Sequence, residues 1–358
     1  LGFNTFAKHT HPSIPSRLYR EQIYYVASFN TAPLSSWQAA KGEAAMPDVF
    51  SPDFERYLGN KVRTICSEHR ESRNLLGYLY VDIPQWETNQ GPGSKENDAM
   101  IHPWVNAIVR SGEHTPGKRA WIAHLQSAFS SAAEAARAWG IPVSRSYGIS
   151  WDYLARLDTW FNPVDRLRAR EIAAAFMRKI AERWYKLHHD EIRKADPDHL
   201  ILGDKTLVGM FRDWLLPILA EYVDVVLIQS YNPFDQDRDI LDWIHRETGK
   251  PLLNGDGSFG YVNPHQQKFK VKGAHTNSRN VADVAQKYRH YLEATAARPY
   301  MLGWHHCGYL EQWDSAERGD VNSNENGFLD PFENEYQVWT DVIRAANRRA
   351  RAQHLSQG

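Results

Sequence analysis

The chain has 358 residues, 24% of them charged and 42% apolar, with a formal net charge of −1. That length and balance supply a sizeable core and exclude global disorder, while the near-neutral charge lacks the basic face of a dedicated nucleic-acid binder. No apolar run approaches the roughly 20 residues of a membrane-spanning helix, and two distant cysteines, Cys66 and Cys307, form no disulfide framework, so free thiols are expected.

The chain opens directly in a strand-like run, LGFNTFAKHTH, with no leader to read. Residues 2–6 and 23–28 read as strands, and Ser51-Pro52-Asp53 opens a helix that runs to about Ser72: Ser51 caps, Pro52 fits the first turn and Asp53 favours the positive end. A strand at 75–82 precedes a polar stretch from Glu87 to Gly117 without periodicity, read as a long loop. Helices follow over about Lys118–Trp139 and Pro163–Lys194, the second stopping at Asp196-Pro197. Strands at 199–204, 223–231, 251–256 and 299–306 then alternate with helices over about Phe211–Tyr222, Asp237–Thr248, Val281–Ala296 and Glu335–Ala352. A second long loop, 261–280, carries Lys268, Lys270, Lys272 and Arg279, either as a solvated segment or as a contact for an anionic sugar.

Continuous apolar strands alternating with helices predict a parallel sheet buried on both faces, in the α/β class. No Gly-rich phosphate loop follows a strand, which favours a (β/α)₈ TIM barrel over a nucleotide-binding open sheet. Seven strands are counted, so the first barrel strand is expected to be missing or upstream of Leu1, within one catalytic domain over 1–358. The strands end in polar or aromatic residues: Asn4, Ser28, Asp82, Asp204-Lys205, Gln229 to Tyr231, Asp256 and His305-His306. Such ends line the active face of a barrel.

These strand ends resemble the β-agarase family, glycoside hydrolase family 50, and its clan of retaining barrel glycosidases. LGFNTF resembles the family's Gly-Phe-Asn-Thr strand, and DVFSPDFERYLGNKVRTIC with NLLGYLYVDIPQW resembles its third helix and fourth strand. ADPDHLILGDK resembles the end of a helix and the fifth strand, and GWHHCGYLEQ with NENGFLDPFENEY resembles the eighth strand and closing loop. The resemblance implies a barrel that degrades a galactan-like polysaccharide or its oligomers, needs no cofactor, and is secreted or periplasmic. It also implies an Asn-Glu pair at the end of strand four, whose Glu is the acid/base, and a nucleophilic Glu at the end of strand seven. Here those places read Asp82-Ile83-Pro84 and Asp256.

Glycoside hydrolysis needs one carboxyl to protonate the leaving oxygen and another to attack or to activate water. Asp82 and Asp256 are the candidates, against the plainer reading that Asp256 makes a Gly-Asp-Gly turn and Asp82 caps a loop. Asp is a methylene shorter than Glu, so a wider, inverting separation is expected. Asp204-Lys205 reads first as a structural ion pair; as a functional one, Asp204 is a second carboxylate and Lys205 an anchor for an anionic group. Glu87 is a reserve acid. Of the 13 tryptophans, Trp86, Trp104, Trp151, Trp304 and Trp313 lie in polar contexts, suited either to stacking on sugar rings or to packing. The substrate-binding candidates are Asn4, His9, Trp86, Trp151, Lys205, Gln229, Tyr231, Trp304, His305, His306 and Glu311, with Glu311 and Glu325 otherwise ordering the closing loop. Two readings stay open beside hydrolysis: a glycan-binding barrel without catalysis, and a zinc hydrolase using His9 and His11.

Overall fold

The computed structural model describes residues 1–8, 21–35, 38, 41–84, 86, 102–142, 148–158, 162–261, 276–311 and 327–356. Nine strands are formed among them: β1 (Thr5–Phe6), β2 (Tyr24–Ser28), β3 (Leu75–Asp82), β4 (Leu200–Leu207), β5 (Val226–Gln229), β6 (Leu252–Gly257), β7 (Gly260–Tyr261), β8 (Thr276–Ser278) and β9 (Met301–His306). Strands β1 to β6 and then β9 lie side by side in chain order, all parallel, in one seven-stranded sheet nearly closed into a barrel. β7 and β8 form a separate two-stranded parallel ribbon. The seven strands are those read from the sequence, and no β9–β1 ladder closes the ring among the described residues.

The helices are α1 (Pro52–His69), α2 (Pro103–Val109), α3 (Pro116–Ala128), α4 (Ala132–Ala138), α5 (Trp151–Arg156), α6 (Arg166–Ala195), α7 (Leu216–Tyr222), α8 (Phe234–Thr248), α9 (Val281–Ala296) and α10 (Gln337–Leu355). α1 begins as its sequence dictates, with the Ser51 side chain accepting from the Asp53 amide. Three of the departures from expectation have a clear local cause. The stretch 87–117 is not all loop: α2 sits inside it, started by Pro103 and by the His102 ring accepting from the Trp104 amide. The single helix expected over 118–139 is two, because Ser131 caps α4 while Glu134 reaches back to the Ser130 amide and hydroxyl. The helix expected from Phe211 starts only at Leu216, since Phe211 is extended.

Two apolar layers result. A small cluster of Leu79, Leu202, Val225, Leu227 and Leu253 fills the barrel interior, with Val26 against it. A much larger one lies between sheet and helices and takes in Tyr78, Tyr80, Trp184, Tyr185, Ile201, Ile228 and Trp339. Strict alternation along β4 would put Asp204 inside with Leu202 and leave Lys205 outside. Gly203 breaks that alternation: its φ is +68°, a conformation open mainly to glycine, and Lys205 is thereby turned inward. Register irregularities between Leu79 and Asp82 and between Asn254 and Gly257 do the same at the ends of β3 and β6.

Gly203→Ala tests this device. A Cβ there would lie 2.8 Å from Val223 Cγ1, so the variant is expected to lose about 2 kcal/mol of stability. A lower urea midpoint with an unchanged slope checks it; a midpoint equal to wild type removes the strain argument.

Candidate active site

The barrel mouth collects Lys8 just past β1, Asp82 at the end of β3, Lys205 on β4, Gln229 at the end of β5 with Tyr231 beyond it, Asp256 on β6 and His305 on β9. The Lys205 ammonium sits between the two carboxylates, 2.9 Å from Asp82 Oδ1 and 2.5 Å from Asp256 Oδ2. Lys8 Nζ lies 3.7 Å from the other oxygen of Asp82. Four charges thus alternate, Lys8–Asp82–Lys205–Asp256, each side chain at most 10% exposed. Gln229 Nε2 donates to the Tyr231 hydroxyl at 2.9 Å and approaches Asp256 Oδ2 at 3.5 Å.

The two lysines differ. Burial works against the charge on Lys205, but the carboxylates of Asp256 and Asp82 outweigh it and hold the ammonium above the usual lysine range. For Lys8, burial is the largest influence; Asp82 offsets it only in part, Lys205 adds repulsion, and the ammonium falls to about 8. Burial also takes the His305 imidazole down to about 4, against the pull of Asp256, so it is neutral near pH 7. The Tyr231 hydroxyl and the Cys307 thiol are pushed well up, first by burial and then by the Asp256 charge. Neither Cys307 nor Cys66 is in a disulfide, as expected.

Strand alternation sends several candidates away from this cluster. Asp204 faces the helix layer, where Trp184 Nε1 donates to its Oδ2 at 3.1 Å, and it does not pair with Lys205. Trp304 and His306 flank His305 but turn outward: Trp304 packs on Tyr288 and Tyr291 and donates from Nε1 to the Gly257 carbonyl at 3.1 Å. His306 packs against Tyr288 and Trp339. Of the three, only His305 shares the mouth. Trp86 is buried, its ring against Trp104 and Tyr185, and serves packing rather than an open sugar platform. Trp104 is likewise buried, donating from Nε1 to the Pro47 carbonyl at 2.7 Å.

Asn4 is exposed before β1, at the opposite end of that strand from Lys8, and its Oδ1 accepts from the Thr5 hydroxyl. Trp151 opens α5 and is half-buried against the core. Glu311 is buried and accepts from the Tyr336 hydroxyl at 2.8 Å, as a loop-ordering residue does. His9, His11, Glu87, Trp313 and Glu325 lie outside the described residues, as do Lys268, Lys270 and Lys272. Among the described residues no group of three or more His, Cys, Asp or Glu side chains is arranged to hold a metal ion, and no helix is long and apolar enough to cross a membrane.

Sequence reasoning missed two residues. Lys8 followed a strand whose Asn4 drew attention instead. Asn254, buried on the outer face of β6, donates to the Tyr291 hydroxyl and the Ser230 carbonyl, and its Oδ1 accepts from the Asp256 amide at 3.3 Å, so it pins the backbone that presents Asp256. A polar residue inside an apolar strand was the signal available for it.

A nearly closed β/α barrel with carboxylates gathered at the C-terminal mouth is the architecture of the barrel glycosidases. The chain is β-agarase-like in sequence and fold. It is 23% identical over 312 residues to β-agarase B of Vibrio sp. strain JT0107, covering 84% of this chain and 30% of that protein. It is 22% identical over 366 residues to β-agarase A of the same organism, covering 97% and 34%. The fold superposes on a solved exo-β-agarase with a TM-score of 0.76 at 21% identity, covering 99% of this chain and 46% of that one. It superposes on the agarase AgWH50C with a TM-score of 0.75 at 19% identity, covering 99% and 48%. The chain therefore spans about a third of the length of the curated relatives it matches. No family model matches it.

Two outcomes follow from this geometry. Lys205→Met leaves two buried carboxylates facing each other, which is expected to cost about 3–5 kcal/mol at pH 8 and less at pH 5, where acid relieves the repulsion; urea unfolding at both pH values checks it. Burial pushes the Asp204 carboxyl from 3.8 up to about 7. A raised folded-state value means the group's contribution to stability is complete below about pH 4 and is lost as pH rises through 7. Asp204→Asn is therefore expected to flatten the pH dependence of the unfolding midpoint between pH 4 and 7; an unchanged slope sinks the assignment.

Proposed function

We propose that this chain is the catalytic barrel of a glycoside hydrolase acting on a galactan-like polysaccharide or its oligomers. Asp256 acts as the nucleophile or base, and Asp82 together with the cations beside it makes up the acid/base half. The observation that carries the reading is the convergence of Asp82 and Asp256 on one ammonium at the barrel mouth. The β-agarase likeness of sequence and fold supports the substrate class.

With one nitrogen 2.9 Å from one carboxylate oxygen and 2.5 Å from the other, those oxygens can be no further apart than the two distances laid end to end. That supports the short spacing of retaining enzymes, about 5–5.5 Å, over the 6.5–9.5 Å or so that accommodates an inverting water. The expectation of inversion from the shorter side chains neglected the cation that draws them together. In the retaining reading Asp256 attacks the anomeric carbon, and Gln229 and Tyr231 steady its carboxylate. His305, neutral and facing the mouth, is available to a sugar hydroxyl.

An acidic sugar, sulfated or uronic, is the finer part of the proposal and draws on the ammonium groups of Lys8 and Lys205. Relative turnover of neutral and sulfated red-algal galactans tests it: no preference for the sulfated chain removes that part alone. One observation favours a second reading, a barrel that holds glycans without cleaving them. Lys205 engages both candidate carboxylates, and the place where the resemblance implies an Asn-Glu pair reads Asp82-Ile83-Pro84.

Reducing-sugar release from a panel of galactans separates the two readings. Asp256→Asn is expected to lower that release by about two to four powers of ten while the fold and glycan binding persist. Binding with no release by the wild-type chain would establish the second reading.

A further inference from the structure

We propose that the Lys8 ammonium is the general acid of this site, delivering the proton that a leaving sugar oxygen needs, with Asp82 as the residue that positions it. The inference rests on the hydrolase reading above and assigns the half of the chemistry that the carboxylate pair leaves open.

The argument is one of elimination among the described residues at the mouth. Asp82 has an ammonium group beside each oxygen, Lys205 at 2.9 Å from one and Lys8 at 3.7 Å from the other, and two cations favour its charged, acceptor form over the acid. Lys205 is held between two carboxylates that raise its proton affinity beyond the lysine range, and an acid that tight does not release its proton to a leaving oxygen at neutral pH. His305 is neutral. The Tyr231 and Cys307 protons are held more firmly than in water. Asp204 faces the helix layer.

Lys8 differs from all of these. Among the described residues its ion pair is with Oδ2 of Asp82, at 3.7 Å, a loose pair that leaves N–H bonds available to another acceptor. The charged groups acting on it are Asp82 from β3 and Lys205 and Asp204 from β4, and together with burial they leave its ammonium at about 8. An acid of that strength is protonated at pH 7 and gives up its proton readily, which is the compromise general acid catalysis favours.

The steps balance. Asp256 Oδ forms a bond to the anomeric carbon as the glycosidic C–O bond breaks, and a proton passes from Lys8 Nζ to the departing oxygen. Water then attacks the anomeric carbon of the glycosyl ester, Lys8 as free amine takes the water's proton, and Asp256 leaves as carboxylate. Both residues return to their starting state.

Acid catalysis matters only where the leaving group is poor, and this gives a test that a structural role would not reproduce. Turnover is measured on a galactan oligosaccharide and on a dinitrophenyl β-galactoside, whose leaving group departs without a proton. Lys8→Met is expected to lose about 10² to 10⁴-fold in kcat/KM on the oligosaccharide and less than about tenfold on the aryl galactoside. Lys8→Arg keeps the charge beside Asp82 but holds its proton beyond use, so it is expected to be as slow as Lys8→Met. In the wild-type protein, kcat/KM on the oligosaccharide is expected to fall on the alkaline side near pH 8, a limb missing with the aryl substrate. Asp82→Asn should move that limb to lower pH, because Asp82 raises the Lys8 value.

Equal losses on both substrates, recovery in Lys8→Arg, or a leaving-group-selective loss in Glu87→Gln instead would overturn the assignment. If Lys8→Met does not fold, the wild-type pH profiles still decide: the same alkaline limb on both substrates rejects the inference. A wild-type chain that turns over neither substrate takes the hydrolase reading down as well, which distinguishes the two failures.

Discussion

One ammonium group organises the mouth of this barrel. Lys205 is almost fully buried between Asp82 and Asp256, and each of the three would be costly to hold there alone. Together they are mutually required. The cation lets two carboxylates from β3 and β6, with two strands between them, approach across the mouth, and the carboxylates keep the cation charged where burial would discharge it. Lys8 extends the chain by one link and ends it loosely, so it is the one lysine of the two whose proton is easily moved.

That arrangement depends on local breaks in strand regularity. A parallel strand presents alternate residues to the barrel interior, and three strands bring their charged residue inside only by departing from that rule. Gly203 does so through a left-handed backbone conformation, and the ends of β3 and β6 through register shifts. Asn254 then anchors the irregular end of β6 from the outer face. The same alternation, where it is obeyed, separates Trp304 and His306 from His305 and gives the first two to the helix layer. The candidate site sits at the points where secondary structure is least regular, which is where a fold can aim a side chain against its default direction.

Much of the architecture was legible because burial writes itself into composition. The runs at 75–82, 223–231 and 251–256 are apolar on both faces, as parallel strands under helices must be, and α9 starts at its polar Asn280 cap and covers the expected span. Short elements were not legible: α2 has seven residues, too few to show a period against a polar background. The helix break before Ser131 was visible only as a capping pattern inside an otherwise continuous alanine-rich run. The aromatic residues were the least reliable guides. Trp86 and Trp104 stand among polar neighbours in the chain and are nonetheless buried against other rings.

By itself the sequence determined the class of fold, the order of the strands and which carboxylates lie at strand ends, because these follow from the period of apolar residues and from the residues that interrupt it. It also carried the β-agarase likeness. Only the tertiary structure decided which side of each strand those ends face, since one glycine in β4 turns Asp204 out and Lys205 in and no periodicity records that. The pairing of Lys8, Asp82, Lys205 and Asp256 was decided there too. These residues are separated by long stretches of chain, and what joins them is charge compensation among buried side chains, a force that acts through space.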